Sequence, residues 1–282
     1  MDPHSSGRTA RSLETLHALG YFVPEVEEEV TALGVRRGRG AYFASRSAAM
    51  GRVGPGPVAA TFFVFSPSLV AHFVPACWEA ASPEDVLAAR YRGVDAAYRR
   101  LLGQEVLDSP EMAEAAELGR TAAGACTPEG RALYAAHADL PWPEAPHLVL
   151  FHALTLVREH RGDGHVATLL GHGLTGLESL VTHTATGTGF TVPAAQATRG
   201  WSDEEWAACS ADLQQRGLLG ADGALTDQGV ALRTSVETAT DELGHAPWAA
   251  LGDEGADRLR TLGRPWVKQM VAGGVFPTGV LA

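Results

Sequence analysis

The segment VREHRGDGHVATLLGHG, residues 157–173, gathers Glu159, His160, Asp163, His165 and His172 around the tetrapeptide Arg161-Gly162-Asp163-Gly164. A carboxylate beside an imidazole is equipment for proton transfer, because the carboxylate moves the imidazole pKa. With the tetrapeptide as a turn, helices over 147–160 and 165–171 form a short antiparallel hairpin. His152 and Glu159 then share one face of the first helix, and His165 and His172 one face of the second. The pairing sets Glu159 near His165 and His152 near His172. Three readings compete. Asp163 caps the second helix and the histidines make ordinary polar contacts. Alternatively Glu159 and His165 grip the polar group of a small molecule, with His165 as acid or base. A metal site is the weakest, for want of a close His-x-x-x-His or Glu-x-x-His pair. No metal and no cofactor is therefore expected.

A second concentration of chemistry is aromatic. Phe62, Phe63 and Phe65 lie within TFFVFSP (61–67), with Phe73 and Trp78 close behind. Burial in a helical core accounts for most such residues. A pocket for a flat or apolar ligand needs the same walls plus a few convergent polar groups. Arg46, following Tyr42 and Phe43, offers a fixed positive charge for an anionic substituent, or else an interhelical salt bridge. The expected ligand-binding set is Arg46, Phe62, Phe65, Trp78, His152, Glu159, His165 and His172. Trp142 and Trp201 sit at Pro- and Gly-bounded corners. The glycine-rich GHGLTG (171–176) lacks the Lys-Ser/Thr pair and the preceding strand of a phosphate loop. Cys77, in an apolar segment, reads as an inert buried thiol.

The elements that must position these groups are helical. Ser82-Pro83-Glu84, Ser109-Pro110-Glu111 and Thr127-Pro128-Glu129 each carry the cap, proline and acid of a helix start. Of the 282 residues 45% are hydrophobic and 20% charged, and the formal net charge is −11. This is globular composition with an acidic field that repels polyanions unless a local basic patch overrides it. Three scattered cysteines form neither a disulfide framework nor a metal motif, which favours a reducing cytoplasm. No apolar run is long enough for a membrane span, and the first residues are expected to be a loose tail, not a signal peptide. The composition shift at TGTGF (186–190) divides the chain into leading helices and tail (1–40), a helical ligand-binding domain (41–187) and a further domain (188–282).

That last domain has a distinctive order. A short helix (193–198) precedes the Arg199-Gly200 turn. Ser202 and Glu205 then form a capping box on a helix running to Gln215. Arg216-Gly217-Leu218-Leu219, an Ala-Asp-Gly turn, the strand-like Ala224-Leu225-Thr226 and Asp227-Gln228-Gly229 lead into a long helix over 230–244. This outline resembles the winged-helix domain of MarR-like transcription regulators, and implies a mostly α chain whose C-terminal domain carries a short β-wing. By the same analogy the last helix (252–272) and the tail VFPTGVLA would support a homodimer. YFASRSAAMG (42–51), WEAASPEDVLAAR (78–90) and TRGWSDEEW (198–206) are similar to a large group of actinobacterial helix-turn-helix proteins, a resemblance that brings no established reaction. In MarR-like regulators the helix before RGLL enters the major groove and the wing brings cations to phosphate. Here those places hold Asp203, Glu204, Glu205, Asp212, Asp222 and Asp227, and the only nearby cation is Arg216. Docking on DNA depends on several phosphate contacts from cations.

The expected function is therefore binding of an apolar or aromatic small molecule on a winged-helix scaffold that has lost DNA binding. The first alternative is a cofactor-independent enzyme using Glu159 and His165. The second is a MarR-like repressor, which a cationic strip from Arg36–Arg39 beside the wing would restore.

Overall fold

Proline at the first helical turn, where its missing N–H costs nothing, opens much of this chain. Pro3, Pro24, Pro55, Pro67, Pro83, Pro110 and Pro146 all stand there in the computed structural model, which describes residues 1–276. The α-helices run α1 (Pro3–Leu13), α2 (Thr15–Ala18), α3 (Pro24–Thr31), α4 (Arg39–Ser47), α5 (Pro55–Phe62), α6 (Pro67–Phe73), α7 (Cys77–Ala80), α8 (Pro83–Leu102) and α9 (Gln104–Leu107). They continue as α10 (Pro110–Ala123), α11 (Ala132–Ala138), α12 (Pro146–Gly171), α13 (Gly176–Thr184), α14 (Val192–Arg199), α15 (Asp203–Gln215), α16 (Asp227–Leu243) and α17 (His245–Ala272). The caps at Ser82 and Ser109 form, each hydroxyl accepting a backbone N–H of the first turn.

Three local expectations give way. Thr127-Pro128-Glu129 opens no helix, because Gly130 turns the chain at φ +70° and α11 starts only at Ala132. The opening residues are not a loose tail: Asp2 caps Ser5, and α1 packs against α16 and α17. The hairpin at 161–164 does not exist. Residues 146–171 form one 26-residue helix, α12. Glycine costs a helix interior about 1 kcal/mol relative to alanine, but tertiary contacts use Gly164. A Cβ there would lie 2.6 Å from an Arg131 guanidinium nitrogen and 3.2 Å from Leu243.

α12 is the axis of the fold, in contact with α2, α8, α10, α11 and α16. One large core runs from Leu13 to Val157 and takes in Trp248, Leu259, Trp266 and Met270 from α17. A second core, Leu177, Leu180, Val181, Ala195, Trp206, Leu213, Leu218 and Leu219, packs α13, α14 and α15 together.

The β-wing expected after α15 is absent. Among the described residues there is no strand, only an isolated antiparallel bridge between Leu219 and Leu225. Gly220 N–H donates to the Ala224 carbonyl and Thr226 N–H to that of Leu218, after which the Thr226 hydroxyl caps α16. The hairpin begins and ends within those few residues, too few for strands of ordinary length. The fold is all-helical. The expected dimer surface is described only in part, since residues 277–282 of VFPTGVLA lie outside the described residues. No described helix is long and apolar enough to cross a membrane.

Candidate functional site

The α13–α15 unit meets α16 through Leu232 and meets the α5–α6 segment at a seam. Ser66 N–H donates to the Arg199 carbonyl at 2.8 Å, and the Trp201 indole to the Val64 carbonyl at 2.9 Å. Gly200, at φ +75°, presses on Leu69, where a Cβ would meet side-chain carbon at 2.6 Å. The outer face of α15 is acidic as expected, with Asp203, Glu204, Glu205 and Asp212 exposed. From 176 to 243 the sequence has three arginines and no lysine against ten acids. None of the three is free: Arg216 binds Glu178 and Asp212, Arg233 binds Glu237, and Arg199 is buried. Along the Arg36–Arg39 stretch, among the described residues, only Arg37 has a carboxylate within 4.0 Å. Arg37 faces Glu27 at 3.6 Å, Arg36 rests on His72 and Phe73, and Arg39 lies over the Tyr42 ring at 5.4 Å.

Inside the body the sign reverses. Glu159 on α12 is only 1% exposed, yet it is ionised and triply held. Arg46 of α4 reaches it at 3.2 Å, its neighbour Arg158 at 3.0 Å and the Tyr21 hydroxyl at 2.8 Å. Burial alone would raise this carboxyl's pKa, but Arg46 and Arg158 hold it well below the usual range. Arg46 also donates to the Tyr42 hydroxyl at 3.1 Å and lies over the Phe62 ring at 4.3 Å. Phe62 and Phe65 are 6.3 Å apart in the same aromatic cluster. Four of the eight expected residues, Arg46, Phe62, Phe65 and Glu159, thus come together.

The other four disperse. Trp78, on α7, donates its indole N–H to the Val53 carbonyl at 2.9 Å. His152 is fully buried, with Nδ1 on the Tyr91 hydroxyl at 2.7 Å and its ring edge-on to Trp142. His165 pairs with the Thr240 hydroxyl at 2.8 Å, and His172 with that of Ser235 at 2.9 Å. Glu159 and His165 lie on one helix, about 9 Å apart along its axis. Asp163 does cap a helix, but it is α11: its carboxylate accepts the Leu133 and Tyr134 N–H groups at 3.0 and 2.9 Å.

Two cavities flank the Glu159 network. One, of about 330 Å³, is lined by Glu14, Arg158, Arg161, His165 and Trp248. Its arginines are matched, Arg158 by Glu14 and Glu159, Arg161 by Glu237 and Asp241. The other, of about 380 Å³, lies between the α2–α3 segment and α4, lined by Tyr21, Val26, Glu27, Arg39, Tyr42 and Ser45. Its two phenols are those that bind Glu159 and Arg46. Burial raises the Tyr21 phenol's pKa. Burial also acts upward on Tyr42, but Arg46, Arg199 and Arg158 outweigh it and bring that phenol below its ordinary value.

Tyr21 gave no signal in the sequence and Arg199 was read only as part of a turn, because Glu159 and Phe65, their partners, are remote in the chain. The signal for Tyr42 was present, as it stands one helical turn before Arg46.

A family model described as a helix-turn-helix family matches residues 6–277. The chain belongs to this family. The match takes in the body helices together with α13–α15. No curated protein and no solved structure matches the chain.

Buried histidines give the molecule a defined acid sensitivity. Burial lowers His137, His160 and His165 to about 4 and His152 to about 3, against an ordinary value of 6.5. Each stays neutral when folded but takes up a proton when unfolded at any pH between those values. Their contribution is therefore complete above pH 6.5 and declines as pH falls toward 4. Melting temperature measured from pH 7.5 to 4.5 is expected to drop steeply below about pH 6.5, with net proton uptake on unfolding. A flat profile to pH 5 would show that these imidazoles are hydrated.

Proposed function

We propose that this helix-turn-helix family member binds a small aromatic or apolar molecule in the Tyr21–Tyr42 cavity, and that its α14–α15 unit serves as scaffold and not as a DNA reader. The observation that carries this reading is the opposition of charge. The outer face of α15 is anionic and its few cations are engaged, whereas the cavity beside α4, open to solvent on one side, combines aromatic walls with fixed polar groups. The tyrosine hydroxyls are held by a buried ion pair, so the walls are already in place before a ligand arrives. The proton-transfer alternative draws less support: Glu159 is locked as a carboxylate between two arginines, and His165 faces the other cavity. A MarR-like repressor would need cations that this α15 lacks.

Thermal-shift measurements against neutral phenols, quinones and aryl acids test the proposal. A compound at a hundred times its Kd is expected to stabilise the fold by about 2.7 kcal/mol. Tyr42→Ala should abolish that gain. If no aromatic compound stabilises the protein, or if Tyr42→Ala leaves the gain intact, the cavity is not the site.

A further inference from the structure

Behind the cavity's tyrosine wall lies a charge imbalance that the small-molecule reading leaves unexplained; on the wall itself Arg39 is accompanied by Glu27, which already accepts the Gly38 N–H and faces Arg37. Five guanidiniums, those of Arg39, Arg46, Arg90, Arg158 and Arg199, act on the region around Tyr21 and Tyr42, and Glu159 is the one fully buried carboxylate among them. Arg46 and Arg158 are neutralised by it. Arg39 and Arg199 are not: among the described residues no carboxylate lies within 4.0 Å of either. Arg199 is 8% exposed, its Nε has no hydrogen-bond partner, and among the described residues its guanidinium hydrogen-bonds only to the Thr198 hydroxyl, at 2.7 Å. Both lie against the same ring, Arg199 at 4.6 Å and Arg39 at 6.0 Å from the centre of Phe65. Aromatic faces attract a cation but do not replace a counter-ion. Buried charges in proteins are ordinarily paired, because desolvation of a lone ion is expensive. In a chain with a net charge of −11, Arg39 on the cavity wall and Arg199 behind it across Phe65 are two cations without a carboxylate, and the one that reaches the cavity can take an anion from outside.

We infer that the molecule taken by this cavity is an organic anion, whose carboxylate or phosphate sits on Arg39 and whose charge also offsets that of Arg199 on α14. The inference rests on the small-molecule reading and specifies its chemistry. Arg39 lines the cavity and is the direct contact. Arg199 is a positioning residue, reached through the field across Phe65. Its carbonyl accepts the Ser66 N–H at the seam between body and α13–α15 unit. An anion on Arg39 therefore strengthens the seat of α14 against the body.

The test uses the full chain with benzoate, phenyl phosphate and the neutral isostere benzamide, titrated at matched ionic strength and followed by calorimetry and melting. At least one of the two anions is expected to bind and raise the melting temperature, with benzamide weaker by roughly tenfold to a hundredfold, the worth of a charge-assisted hydrogen bond. The better of the two tells a carboxylate ligand from a phosphate. Arg39→Gln should lose the same factor for the anion and nothing for benzamide. Without ligand, Arg199→Met should melt no lower than the wild type, since it removes an uncompensated charge and keeps the aliphatic contact. Equal binding of benzamide and benzoate, unchanged in Arg39→Gln, would overturn the anion and leave the cavity reading intact. If neither anion stabilises the protein, the anion site is refuted. If benzamide also fails to bind and neutral aromatics do not stabilise it, the cavity reading goes with it.

Discussion

Glu159→Ala is expected to cost about 3–5 kcal/mol, the usual penalty for breaking a buried ion pair from one side. The substitution deletes the acceptor of Arg46, Arg158 and Tyr21 together, and Arg46 keeps its place under Phe62 with no counter-ion. Most of the loss is thus the stranded cation and not the missing carboxylate. Two controls follow. Glu159→Gln keeps the volume and one acceptor oxygen but not the charge, and should be nearly as damaging. Pairing Glu159→Leu with Arg46→Met removes both charges and should recover much of the loss. Melting at neutral pH is the readout, with a fall on the order of 10 °C for the single variants. The pH dependence has a definite sign. Glu159 is held below its ordinary value of 4.5, so its contribution is present above that pH and is lost as pH falls through the depressed value. This acid limb lies below the histidine limb, so Glu159→Ala should flatten only the lower part of the profile. A variant as stable as wild type would mean that water already solvates Arg46.

Gly176→Ala strikes the seam. Gly176 is the first residue of α13, and a Cβ there would lie 2.0 Å from the Phe63 carbonyl oxygen and 3.0 Å from its carbon. Both are backbone atoms that cannot rotate aside. Phe63 itself sits at φ +41°, where residues other than glycine rarely go, and its segment carries the Val64 and Ser66 contacts to Trp201 and Arg199. Overpacking of this kind costs about 1–3 kcal/mol, and here the strain falls on the joint between the two cores. Urea denaturation followed by tryptophan fluorescence should show Trp201 and Trp206 reporting a change before the bulk helicity is lost. Coincident transitions at the wild-type midpoint would show that the seam absorbs a methyl group without separating.

The all-helical body was legible wherever its signals were local. Ser82-Pro83 and Ser109-Pro110 start helices because cap, proline and acids act within one turn of chain. The capping box of Ser202 and Glu205 formed for the same reason. Local signals misled where a distant residue decided the outcome. Arg161-Gly162-Asp163-Gly164 has the composition of a turn, yet Arg131 and Leu243 need the space at Gly164, and Asp163 is spent on capping α11. The wing was inferred from the order of its turn residues, but Thr226 closes the hairpin and caps α16 in the same place, leaving no length for strands. Half of the candidate site was visible. Arg46, Phe62, Phe65 and Glu159 carried functional residue types in suggestive company. Tyr21 gave no sign and Arg199 only that of a turn, because a tyrosine that binds a carboxylate 138 residues away and an arginine buried against Phe65 look like any others in sequence.

Titration of a fluorescent DNA duplex with the full-length protein, read by anisotropy from about 20 to 200 mM salt, most directly tests the claim that the α14–α15 unit is not a DNA reader. No saturable binding is expected at micromolar protein even at the lowest salt, because α15 presents no free cation to phosphate. Tight binding that weakens steeply with salt, by about a thousandfold or more across that range, would contradict it and place the function on α15 instead of in the Tyr21–Tyr42 cavity.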